Sequence, residues 1–147
     1  MSTFNYYECK ICYQKTLDSE KTQKVKESYL VNAISFSEAE TRIIKEMSPF
    51  ITGEFQVTDI KISRYSEIFH SQETDADKYF KAKLVFVVLD EKSGKEKKTS
   101  TQVLVQAVSL EKAMEGIKEG MKGSMMDYAV ATIQETPIMD VYHYSAE

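Results

Sequence analysis

The chain carries one pattern twice, and that repetition restricts its folds more than any other feature. The segment EFQVTDIKISRYSEIFH (Glu54 to His70) aligns with DYAVATIQETPIMDVYH (Asp127 to His143). Phe55 falls on Tyr128, Val57 on Val130, Ile60 on Ile133, Ile68 on Val141, Phe69 on Tyr142 and His70 on His143. Upstream, YLVNAISFSEAETRIIKEM (Tyr29 to Met47) aligns with VLVQAVSLEKAMEGIKEGM (Val103 to Met121). The apolar positions coincide in both blocks, as an internal duplication requires. One repeat spans about residues 4–72 and the second about 77–144, within a single domain of 147 residues.

Each repeat reads strand, strand, helix, strand, with a short strand-like extension. Tyr6 to Lys15 alternates, with Tyr7, Cys9, Ile11 and Tyr13 on one face and Glu8, Lys10 and Cys12 on the other. TLDSEKTQK turns the chain into a second strand over Val25 to Ile34. Ser35 or Ser37 suits a helix N-cap, with Glu38 and Glu40 in the first turn where the helix dipole favours acids. Ala39, Ile43 and Met47 form the buried stripe, and Pro49 prevents the helix from continuing. Phe55 to Ser63 is the third strand and Ser66 to His70 the extension. In the second repeat the predicted elements are Tyr79 to Leu89, a hairpin tip over Glu91 to Lys98, and Gln102 to Val108. Ser109 then caps a helix over Leu110 to Lys122 that ends at Gly123, before strands Tyr128 to Gln134 and Ile138 to Tyr142. Ala113, Ile117 and Met121 face in from that helix. VFVVL is apolar on both faces, which predicts a central strand.

A single repeat buries too little apolar surface to stand alone, so two copies sheltering each other are expected. The expected fold class is therefore α+β: duplicated β-β-α-β units with pseudo-two-fold symmetry, mainly antiparallel sheet, sheets joined or stacked and helices outside. Whirly and PUR-like domains are the nearest architectural analogies.

Composition narrows the function classes. No run of eighteen apolar residues is present, so no membrane helix is expected. MSTFNYYECK lacks the charged and apolar regions of a secretory signal, which makes the cytoplasm the expected location and a membrane partner unexpected. A net charge of -4 argues against a predominantly electrostatic nucleic-acid binder but leaves room for a local basic groove. The string CKIC, Cys9 and Cys12, lies in an alternating stretch that sends the two thiols to opposite faces, so small buried thiols fit better than a metal or redox site.

The chemistry-bearing motifs are few. There is no G-x-S-x-G, no phosphate loop and no H-E-x-x-H, so neither an enzyme nor a cofactor is expected. His70 and His143, each three residues after an acid (Glu67, Asp140), are candidates for a metal site or pH switch if the repeats bring them together. Against this, alternation sends each histidine and its acid to opposite faces. The stronger constellation is aromatic and basic. Tyr6 and Tyr13 on the first strand and Tyr79 and Phe80 on its repeat partner lie beside lysine-bearing hairpins, with Lys15, Lys24 and Lys26 in one and Lys92, Lys95, Lys97 and Lys98 in the other. Rings that stack bases beside lysines that follow phosphates would suit single-stranded DNA or RNA. Met121, Met125 and Met126 suit core packing or an adaptable contact surface.

YYECKICYQKT, YLVNAISFSEAETRIIKEM and FQVTDIKISRYSEIF together resemble the small proteins grouped as domain of unknown function 4494. The resemblance covers most of the chain, and its most specific part is Ala33 to Glu40. It implies a cytosolic protein of Bacteroidota, their phages or mobile elements, and carries over no functional residue. In that setting the expectation is a non-enzymatic binding protein for single-stranded nucleic acid. The alternative is a protein-interaction module: a phage adaptor, a virion component or an inhibitor of a host protein. Self-association stays open.

Overall fold

The computed structural model describes residues 5–145. The elements run β1 (Asn5–Thr16), β2 (Thr22–Ala33), α1 (Phe36–Met47), β3 (Phe55–Ser63), β4 (Glu67–Phe69), β5 (Lys78–Leu89), β6 (Glu96–Ala107), α2 (Leu110–Gly120), β7 (Tyr128–Glu135) and β8 (Ile138–Tyr142). The fold is α+β, with two mixed, antiparallel-rich sheets in the orders β3-β1-β2-β8 and β4-β6-β5-β7. Two compact units result: the chain up to Arg64 with the segment from Pro137, and the segment Tyr65 to Thr136.

These units are not the sequence repeats, because each repeat sends its last strand elsewhere. β4 follows β3 yet pairs in parallel with β6, and β8 follows β7 yet pairs in parallel with β2. The connections explain this. β3 is antiparallel to β1, which is antiparallel to β2, so β3 and β2 run the same way. A following strand laid parallel to β2 in that sheet would first have to travel back a full strand length. Parallel neighbours need a crossover of about a dozen residues, and only Arg64, Tyr65 and Ser66 are available. Thr136 and Pro137 impose the same limit after β7. Each extension thus becomes the outer strand of the sheet built by the other repeat, and adds one parallel pairing to a sheet that is otherwise antiparallel.

The first unit buries Tyr7, Cys9 and Ile11 of β1, Val31 and Ala33 of β2, and Ala39, Ile43 and Met47 of α1 in one cluster. The second buries Phe80, Ala82 and Leu84, then Val103, Val105 and Ala107, against Ala113 and Ile117 of α2. Each fully buried Ile, Leu or Val side chain contributes roughly 1.5–3 kcal/mol. Ser35 caps α1 by accepting from the Glu38 N–H at 3.1 Å, and Ser109 caps α2 by accepting from Lys112 at 3.2 Å. Each cap is worth about 1 kcal/mol.

The registers run alike in the two sheets. Cys9 opposes Tyr29 as Ala82 opposes Val103. The β1–β3 ladder skips a residue between Lys10 and Ile11, and the β5–β7 ladder skips one between Lys83 and Leu84. Leu30 opposes Val141 in parallel, and Ile68 opposes Leu104.

Several boundaries differ from expectation. β6 begins at Glu96, not Gln102, because the backbone ladder with β5 continues to the tip, where Leu89 opposes Glu96. Lys97 and Lys98 therefore lie on a strand. α2 ends at Gly120, earlier than Lys122, and Gly123 takes a positive φ of 86° beyond it. β5 is central, between β6 and β7, yet its Val87, Val88 and Leu89 are exposed. Met121 packs on the second core, whereas Met125 is 99% exposed and takes no part in it.

Candidate functional site

Of the rings and lysines read as a nucleic-acid platform, the structure brings together Tyr13, Lys24 and Lys26, which line one groove, and places the others elsewhere. Tyr79 and Phe80 are each 3% exposed. Neighbours on a strand face opposite ways, so β5 is covered on both faces here and neither ring can stack on a base. The Tyr79 carbonyl also accepts from the Thr136 N–H and hydroxyl, both at 2.8 Å. Tyr6 is half-buried, with its hydroxyl 3.2 Å from His143 Nδ1. Tyr13 packs against the first core, on the opposite face of β1 from Tyr6. Among the lysines, Lys24 and Lys26 line a groove of about 410 Å³ with Tyr13, Phe55, Gln14, Gln56 and Glu54. Lys15 lies near the end of β1. Lys92 and Lys95 belong to the β5–β6 turn, and Lys97 and Lys98 oppose Val88 and Val87.

The histidines belong to different units. His70 follows β4 and lines a groove beside α2; His143 follows β8 and meets Tyr6. Among the described residues no three His, Cys, Asp or Glu side chains are grouped to hold a metal ion. Cys9 is fully buried, and burial, reinforced by Glu8, pushes its thiol up to about 12, so it stays an inert thiol at neutral pH.

A tyrosine-lined site was not read as one in the sequence. On the helix-bearing face of the first sheet, Tyr13 of β1, Tyr29 of β2 and Tyr142 of β8 line a cavity of about 340 Å³ with Glu27, Asp140 and Phe50. Strand alternation places Glu27 and Tyr29 on one face. The parallel docking of β8 adds Tyr142, whose ring stacks on Tyr29 with centroids 6.0 Å apart. The Tyr29 hydroxyl donates to Glu27 Oε1 at 3.1 Å. Burial, then the Glu27 charge, raises the Tyr29 hydroxyl well above its ordinary value; burial and then Asp140 push Tyr142 up to about 12. All three rings remain neutral at physiological pH in a field set by carboxylates. Phe50 at the rim is 76% exposed and Met139 52%.

A sequence signal for this site existed in the differences between repeats. Register equivalence puts Phe86 where Tyr13 stands, Thr101 for Glu27, Val103 for Tyr29 and Phe69 for Tyr142. At these four positions the second unit packs its sheet and helix without a tyrosine or a carboxylate.

Asn32 was also missed. It is fully buried in β2, donates from Nδ2 to the Tyr144 carbonyl at 2.7 Å and accepts the Tyr144 N–H at Oδ1, also at 2.7 Å. This clamp holds the segment after β8, so that the Tyr144 hydroxyl reaches Glu46 at 2.6 Å and the Arg42 guanidinium lies 4.3 Å from the Tyr144 ring centre. In the second unit Gln106 accepts the Ser71 N–H at 3.1 Å and donates to Ala76 at 2.9 Å. There Gly116 and Gly120 let α2 close on Val105 and Phe69; a Cβ on Gly120 would lie 2.6 Å from the Phe69 ring. A lone Asn inside YLVNAI was the available sequence signal.

The family model described as Domain of unknown function (DUF4494) matches residues 5–144. No curated protein gives a significant match to the chain.

Proposed function

The chain belongs to the DUF4494 family, and on that footing we propose that it is a non-enzymatic binding protein that works as a protein-interaction module. One observation carries this reading: a tyrosine-lined, carboxylate-bearing cavity with exposed Phe50 and Met139 at its rim. Aromatic side chains that combine an apolar body with a polar tip are the usual anchors of protein interfaces. The site's tyrosines and Glu27 are absent from equivalent positions of the second unit, so the fold itself does not call for them. The test compares capture by the wild-type chain and by Phe50→Asp from a host-cell lysate, followed by reconstitution with the purified partner. A partner held by the wild type and released at least about tenfold by the variant is expected, the loss typical of an interface anchor. Equal retention by both chains, or none by either, removes the reading.

A second reading, single-stranded nucleic-acid binding, keeps one supporting observation: Lys24 and Lys26 share a groove with Gln14 and Gln56. Tyr13 and Phe55 line the same groove, as does the acid Glu54, and the reading predicts affinity that falls steeply with salt. A labelled oligonucleotide titrated at low ionic strength tests it; binding unchanged by replacing both lysines with alanine, or no binding, would sink it.

We also propose that the two halves arose by internal duplication, supported by the like registers and the like bulge positions. A bacterial cytoplasm, in Bacteroidota or their phages, is the proposed setting, on the strength of the family.

A further inference from the structure

We infer that the cavity formed by Tyr13, Tyr29, Tyr142 and Glu27 is a receptor for a cationic side chain, arginine or lysine, presented by a partner polypeptide. The inference rests on the protein-interaction reading and adds the chemistry of the contact.

Charge complementarity selects the occupant. The cavity is lined by two carboxylates, Glu27 and Asp140, and by no lysine or arginine. Rings offer negative faces to a cation, and a carboxylate at the base of a ring cluster supplies the counter-charge. An anionic group would meet the same acids and be repelled. A purely apolar side chain would leave Glu27 with reduced access to water and no cationic partner, at a cost in desolvation.

The same unit already contains the arrangement in miniature. The Arg42 guanidinium lies over the Tyr144 ring at 4.3 Å, and the hydroxyl of that ring bonds to Glu46. Arg42 also pairs with Glu38 at 3.2 Å. Cation, tyrosine face and carboxylate thus stack together where the chain supplies all three. At the Tyr29–Tyr142 stack the chain supplies the rings and the carboxylate, and the lining contains no cation. The second unit replaces the three tyrosines and Glu27 together, with Phe, Thr, Val and Phe at the equivalent positions, while Glu67 matches Asp140. That pattern fits a binding function confined to one unit.

The test uses the full chain and two pairs of small probes. N-acetylarginine amide is compared with its neutral isostere N-acetylcitrulline amide, and N-acetyllysine amide with N-acetylnorleucine amide. Binding is followed by amide and methionine-methyl chemical shifts. The expected result is saturable shifts centred on Tyr29, Met139 and Tyr142 with the cationic probes at millimolar concentrations and none with the neutral ones. Glu27→Gln, which preserves shape and acceptor capacity, should weaken binding about tenfold. Tyr142→Leu should abolish it, while Tyr142→Phe, which keeps the ring face, should retain most of it. All variants are first matched to the wild type by amide spectrum. Equal response to citrulline and arginine, absence of saturation, or full binding by Glu27→Gln overturns the inference. If the probes bind but no partner is captured, the interaction reading fails and the receptor stands. If a partner is captured equally by wild type and Glu27→Gln, the reading survives and the receptor falls.

Discussion

Deleting the chain from Pro137 onward is expected to unfold the first compact unit, although the cut lies far from that unit's other strands in sequence. The deletion strips β8 from β2, removes Ile138, which is 3% exposed, and takes away Tyr142 and Tyr144. Burial of Ile138 alone is worth roughly 2 kcal/mol. Loss of Tyr144 leaves the buried Asn32 amide without the two partners it has now, a further 1–3 kcal/mol or so. With the lost ladder, the total approaches the roughly 5–15 kcal/mol that holds a whole small domain together. Hydrogen exchange should show β1, β2, α1 and β3 losing protection, and a synthetic peptide spanning residues 137–145 should restore it. Retention of wild-type protection in those elements after the deletion would contradict the strand assignment.

The second large effect is expected from Asn32→Ala. The substitution removes both side-chain bonds to Tyr144 and opens a polar-lined gap in a fully buried strand. A loss of about 3 kcal/mol is expected, from two hydrogen bonds and one small cavity. Urea denaturation with an unchanged m-value measures it. Gln106→Ala should cost about 1 kcal/mol, because Gln106 makes comparable bonds from a half-exposed position. Equal losses at the two sites would mean that burial does not set the strength of the clamp.

Much of the fold was legible from local pattern. Phe55–Ser63 and Ile138–Tyr142 match their expected bounds, and Ser35 and Ser109 cap the helices. The stripe Ala39, Ile43 and Met47 is buried as its spacing implies. Apolar periodicity and capping chemistry act over a few residues, so they survive in the string of letters. Hairpin ends were less legible. The EKKTST stretch of β6 is polar throughout, and only the backbone ladder to β5 makes it a strand.

The candidate site was less legible still. Tyr79 and Phe80 look like exposed aromatics beside lysines, but a residue's neighbours in sequence do not reveal whether a second layer covers its strand. The grouping of Tyr29, Glu27 and Tyr142 has no local signature, because Tyr142 is remote from the other two along the chain and meets them through the parallel pairing of β8 with β2.

Residue order alone therefore dictated the two similar sets of strands and helix, their buried faces and their caps, since each depends on spacing within one element. The destination of β4 and β8, the burial of Tyr79 and Phe80, and the gathering of three tyrosines around Glu27 were decided by tertiary structure. Those outcomes depend on which strand edge a short connection can reach, a geometric constraint that no local pattern encodes.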